Sequence, residues 1–140
     1  MAAPTTPTNV VLDNQSGDTL MLVSSTYEGV PNVIKSGASP SEFPQDTELS
    51  VIASVVYAVG NIATWVVVWT ANNEVATSVL PPGTPLIWKD IWNKLQRDGA
   101  IDSYRTSYGW EYNSTVEIKS DGDAQTLSVI ISYDPISKLK

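Results

Sequence analysis

Neither histidine nor cysteine occurs in the 140 residues, and each absence removes a class of chemistry. Histidine is the side chain whose charge changes nearest neutral pH, so a Ser-His-Asp triad or an imidazole metal site is excluded. Without cysteine there is no thiolate nucleophile and no disulfide framework. Charged residues make up only 16% of the chain, below the usual quarter, so the surface must draw on Ser, Thr, Asn and Gln. Basic residues are scarce: 8 stand against 15 acids, for a formal charge of -7. That field repels phosphate backbones and anionic headgroups, and nucleic acid is not an expected partner. The cations are scattered apart from a strip between Lys89 and Arg105, which reads as the wet face of one helix. Apolar runs are short, the nearest to the roughly 18 residues of a membrane helix being Ile62 to Thr70. Residues 1–8 lack a basic start and an apolar stretch, so they read as a flexible arm rather than a signal peptide. Residues 9–140 are expected to form a single domain, in a cytoplasmic protein that would leave the cell only by an unconventional route.

What remains is rich in β-branched and aromatic residues, with five Trp and six Tyr. Short apolar runs alternate with turn residues from Asn9 onward, the pattern of an all-β chain. Val10-Val11-Leu12 and Leu20 to Val23 flank Asn14 to Asp18, which predicts an opening hairpin. Pro31, Pro40 and Pro44 deny amides to the next stretch, so Val33-Ile34 and Phe43 belong in edge strands or loops. Between Leu49 and Thr70 the apolar character is almost continuous, predicting core strands buried on both faces. Ala71-Asn72-Asn73 then offers a turn into a strand over Glu74 to Leu80. Thr84-Pro85 provides a cap and a first helical position, and Ile87, Ile91 and Leu95 recur every four residues, as do Trp88 and Trp92. One helix is therefore expected over about residues 85–97, closed by Gly99, with Asp90 and Lys94 on its wet side and the two tryptophans in the core. Asp121-Gly122 between two alternating segments, Tyr112 to Lys119 and Gln125 to Tyr133, predicts a second hairpin. The expected fold is mainly β, an antiparallel two-layer β-sandwich with one α-helix.

Groups that carry chemistry are few. Asp121-Gly122-Asp123 lacks the spaced carboxylates of a calcium loop and reads as a turn. Glu111 and Glu117 are the sort of acid pair a glycosidase would need, as any chain with 15 acids provides. Neither a Gly-x-Ser-x-Gly elbow nor a glycine-rich phosphate loop is present. Asn14-Gln15-Ser16 and Asn113-Ser114-Thr115 match the glycosylation pattern, which matters only in a secreted chain. The expectation is a binding protein, not an enzyme, with no cofactor and no metal. Its candidate ligand-binding residues lie in one run after the helix: Tyr104, Arg105, Tyr108, Trp110, Tyr112 and Asn113. Aromatic faces stack on sugar rings or choline groups, while Arg and Asn fix hydroxyl or phosphate groups. The competing reading has the same rings closing one end of the sandwich. A second class of function stays open as well, a homo-oligomer assembled through edge strands and the tryptophan face of the helix.

Taken in order, the segments resemble the aegerolysin-type and plant jasmonate-induced proteins. The likeness rests on Val10 to Leu22 with its Asn-x-Ser-Gly turn, on Pro31 to Gly37 followed by Phe43, on Val55-Val56-Tyr57 before Trp65-Val66-Val67-Val68-Trp69, and on Trp88, Ile91 and Leu95. The chain departs from the family pattern at Ser50 to Ser54, where glycines are reduced, and at Ala71-Asn72-Asn73, where an Asn-Pro turn is replaced. The resemblance implies an actinoporin-like β-sandwich in a defence or stress protein. Such a protein would recognise a glycan or a lipid headgroup through peripheral membrane contact, sometimes with a pore-forming partner, and no catalytic residues come with it.

Overall fold

The computed structural model describes residues 5–106 and 109–135, and it is a mainly β sandwich of two facing sheets. The five-stranded sheet has the order β4-β1-β11-β10-β9, from strands β1 (Thr5–Gln15), β4 (Ser41–Glu48), β9 (Gly99–Arg105), β10 (Trp110–Asp121) and β11 (Ala124–Pro135). The six-stranded sheet has the order β3-β2-β5-β6-β7-β8, from β2 (Leu20–Ser25), β3 (Val33–Ile34), β5 (Ala53–Val59), β6 (Ala63–Trp69), β7 (Glu74–Leu80) and β8 (Gln96–Arg97). Pairing is antiparallel except between β1 and β11, which run parallel.

Two-residue periodicity builds the core. In β1 the inward positions Thr8, Val10, Leu12 and Asn14 are buried while their neighbours face outward. Val116, Ile118, Leu127, Val129 and Ile131 meet Val55, Tyr57, Trp65, Val67 and Trp69 across the sandwich, each large apolar side chain contributing about 1.5–3 kcal/mol. The two-faced burial of β5, β6 and β7 has a separate cause. The outer faces of Val56, Val66, Val68 and Ala76 lie under Ile52, Leu86, Trp88, Ile91 and Leu95. The helical segment is thus a third layer over the six-stranded sheet.

Several expectations need correction. The helix α1 (Trp88–Trp92) is five residues long, not the span 85–97. Its N-cap is Ile87 in extended conformation with no side-chain cap, because the chain before it is spent in laying Leu86 on the sheet. After it, Gln96 and Arg97 pair with Val75 and Glu74. Tertiary packing here overrides the four-residue repeat. Trp88 packs against the outer cluster, but Trp92 is 43% exposed. The opening hairpin does not form: β1 and β2 lie in different sheets. The buried Asn14 side chain explains the corner, since its Nδ2 donates to the carbonyls of Asp18 and Ile34 and its Oδ1 accepts from the amide and hydroxyl of Ser16. Thr5 to Thr8, expected in a loose arm, are paired with β4. The strand over Gly99–Arg105 was not anticipated either, and it follows from the chain leaving β8 to pair with β10.

Two buried indoles tie the sheets together. Trp65 Nε1 donates to Ser114 Oγ at 2.7 Å, Ser114 is 2.6 Å from Thr77 Oγ1, and Thr77 donates to the Val66 carbonyl at 2.9 Å. The Thr77 proton being used, Ser114 donates to Thr77, and the relay runs from indole to carbonyl. Replacing Ser114 leaves the Trp65 N–H buried without an acceptor, which costs about 1–3 kcal/mol. The Ser114→Ala protein is expected to lose that amount in urea denaturation, against a change within about 0.5 kcal/mol for a control at exposed Ser103. Equal losses for the two would show that the relay adds nothing.

Candidate functional site

Strand parity divides the aromatic run. In the β9–β10 register Tyr112 faces Tyr104 and Glu111 faces Arg105, so Tyr104, Trp110 and Tyr112 share the inner face while Arg105 and Asn113 point to the outer one. Arg105 Nε donates to Glu111 Oε2 at 2.9 Å, and Asn113 Oδ1 accepts from Ser103 Oγ at 2.7 Å. These two residues therefore do not converge on the rings. Tyr108 lies outside the described residues. Tyr112 is 3% exposed, which corrects its expected place on the surface, and Tyr104 packs part-buried against the core.

Among the described rings at this end, those that reach solvent most are Trp110 and Tyr133, 39% and 38% exposed. Their centroids are 5.0 Å apart with planes at 45°, within the range of favourable aromatic pairs. Tyr112 stacks beneath Tyr133 at 6.1 Å and 26°. Tyr133 was missed as a site residue although its signal was present: a two-residue turn at Gly122-Asp123 puts Tyr112 opposite Tyr133. The β1–β2 corner forms the floor. A Cβ on Gly17 would lie 2.7 Å from the Tyr133 ring, and the residue's φ is 82°, so only glycine lets the ring settle there. Beside it, Asp18 Oδ2 accepts the Tyr112 hydroxyl at 3.0 Å.

Other candidates resolve differently. Glu111 and Glu117 are six residues apart on one strand, roughly 20 Å, too far for a pair of glycosidase carboxylates. Each holds a cation, Arg105 and Lys119 respectively. Asn14 is buried with both ends of its amide engaged, so it is no glycan acceptor in the folded chain. Among the described residues no group of three His, Cys, Asp or Glu could hold a metal, and no helix is long and apolar enough to cross a membrane. No protein-family model matches the chain, and neither does any curated protein.

The rings also carry an alkaline signature. Burial, the hydrogen bond to Asp18 and that carboxylate's charge push the Tyr112 phenol up to about 12; burial raises Tyr57 as well. A phenol kept neutral by the fold contributes stability that is complete below the ordinary value of 10.0 and is lost as pH rises toward about 12. Tyr112→Phe is expected to flatten that alkaline limb, leaving the part due to Tyr57, when denaturation midpoints are followed against pH. An unchanged limb would put the titration elsewhere.

Proposed function

We propose that the chain is a non-enzymatic recognition module that holds a glycan or a membrane-lipid headgroup against the Trp110–Tyr133 pair. The observation that carries this reading is the pair itself: two large rings in contact, each about two-fifths exposed, on a floor of Tyr112 and Gly17 that prevents their collapse inward. Rings held in this way offer a flat apolar face at low entropic cost, which suits the C–H face of a sugar or a quaternary ammonium. The absence of histidine and cysteine from the sequence is in keeping with binding rather than turnover. The resemblance to aegerolysin-type and jasmonate-induced proteins adds a defence or stress role. Arg105 and Asn113, on the other face, drop out of the reading, and Tyr133 enters it.

The test is a glycan array together with a liposome panel at micromolar protein. Trp110→Ala and Tyr133→Ala should each weaken the interaction by roughly 1 kcal/mol or more while the protein still unfolds cooperatively. Absence of any interaction by the parent protein, or equal retention by both variants, would remove the proposal.

A second reading is favoured by a different surface. Met21, Val23 and Val33 are 51%, 61% and 48% exposed on the β2–β3 edge, and Met21 lies opposite Val33. Such an apolar edge suits a homo-oligomer. Light scattering over a dilution series should then give a dimer or larger closed assembly that Met21→Lys dissociates; a monomer at every concentration would discard this reading.

A further inference from the structure

At the opposite end of the sandwich, the chain crosses from β8 to β9 and leaves an open groove of about 980 Å3 between Arg97 and the outer face of β10. A second depression of about 480 Å3 shares Asn73 and Arg97 with it, so the two form one concave path. Its floor is Gly99, where a Cβ would come within 3.1 Å of the Val116 carbonyl oxygen. Ile101 stands at its side, 75% exposed, well above any other exposed large apolar residue among those described.

Backbone conformation marks the same place. Among the described residues the non-glycine positions with positive φ are Asn73 (62°) and Asp98 (71°), and both line the groove. They hold each other, the Asp98 amide donating to the Asn73 carbonyl at 3.1 Å while the Asp98 carbonyl accepts from Ile118 at 2.9 Å. Conformations of this kind are strained and persist where the surroundings impose them, often at binding sites. Asn73 Nδ2 donates to Ser120 Oγ, whereas its buried Oδ1 has no partner among the described residues. Arg97 takes part in no ion pair among them either.

We infer that this groove is a second binding site, independent of the aromatic pair, and that its ligand is a neutral oligosaccharide. The class follows from the groups present. A sugar's vicinal hydroxyls both donate and accept, and they are best met by planar groups with two polar atoms side by side. The path offers the Arg97 guanidinium, the amides of Asn73 and Gln96 and the Asp98 carboxylate, with Ile101 for the apolar face of a ring. Acids and bases along the path nearly balance, Arg97 and Lys119 against Glu74, Asp98 and Glu117, so a strongly anionic ligand has no net attraction.

The experiment uses the full chain on an array of neutral glucose, galactose, mannose and N-acetylglucosamine oligosaccharides. Oligosaccharides retained there are then titrated into 15N-labelled protein. The expected result is shifts centred on the amides of Gly99 and Thr115 to Ser120, and a loss of about tenfold or more in affinity for Arg97→Ala, the scale of a lost charge-assisted hydrogen bond. Ile101→Lys, at an exposed position that spares the fold, should weaken binding in parallel, while Trp110→Ala leaves these shifts intact. No retained neutral oligosaccharide, unchanged affinity in both groove variants, or shifts confined to Trp110 and Tyr133 would each overturn the inference. The last of these would still support the aromatic pair, so the two sites fail separately.

Discussion

A buried indole N–H must find an acceptor, and this requirement at Trp65 and Trp69 organises the whole sandwich. Both residues lie on the inner face of β6 and are fully buried, and both acceptors come from the other sheet. Trp69 Nε1 donates to Thr47 Oγ1 at 3.0 Å. Thr47 is 2.9 Å from Thr8 Oγ1, which donates to the Thr6 carbonyl at 3.1 Å and accepts from Gln125 Nε2 at 3.0 Å. Like the Trp65 relay, this one runs through two hydroxyls and ends on a backbone carbonyl. Pure hydrocarbon packing would let two sheets slide by a residue pair at little cost; a relay with fixed donors and acceptors does not. Strands β4, β1 and β10 are thereby indexed against β6, and through them everything at the ends of the sandwich.

The ends inherit that register. Because Ser114 is held under Trp65, Tyr112 lies one inward position further along β10, at the end of the apolar core, where its hydroxyl meets Asp18 at the β1–β2 corner. That corner is pinned by Asn14, two positions beyond Leu12. Trp110 is the next inward position again and Tyr133 lies level with Tyr112 on β11, both at the end of the sandwich where cover from the facing sheet is incomplete. Their exposure is thus a consequence of strand length: β10 and β11 outrun the six-stranded sheet. On the other side the edge of β7 is closed without a full strand. Asp102 Oδ2 accepts the Val79 amide at 2.8 Å, with Lys94 3.8 Å from the same oxygen, and a carboxylate at an open edge also discourages pairing with other chains.

Much of the architecture was legible in the residues. Period-two alternation placed β10 and β11, proline placed Val33-Ile34 and Phe43 on edges, and Asn73 marked the β6–β7 turn. Legibility failed where a local signal competed with a distant one. The four-residue spacing of Ile87, Ile91 and Leu95 is genuine, yet these residues also needed to reach across β5 to β7, and only Trp88–Trp92 stayed helical. The turn residues Asn14 to Asp18 look like a hairpin because nothing local reveals that Asn14 bonds to Ile34. Of the site, reading the run from Tyr104 to Asn113 as a cluster ignored alternation, and the buried Tyr112 fits the competing reading of rings that close one end of the sandwich. Contiguous residues in a strand point opposite ways, so a run of ten cannot make one surface.

The same alternation sets where recognition can take place on such a molecule. The outer face of the six-stranded sheet is largely covered by α1 and its flanks, and the inner faces are consumed by the core. Long strands with short turns then leave two kinds of concave or ringed surface, where strands overrun their partners and where the chain changes sheets. Trp110 and Tyr133 occupy the first kind. Asn73, Arg97 and Gly99 occupy the second, where a left-handed residue on each side turns the backbone sharply enough to open a hollow. The two differ in chemistry because they differ in construction. Overrunning strands expose side chains that would otherwise be core, hence aromatic rings, whereas a crossover exposes turn-forming residues, hence amides and carboxylates. A sandwich of this type can thus present an apolar and a polar surface at opposite ends without altering its core.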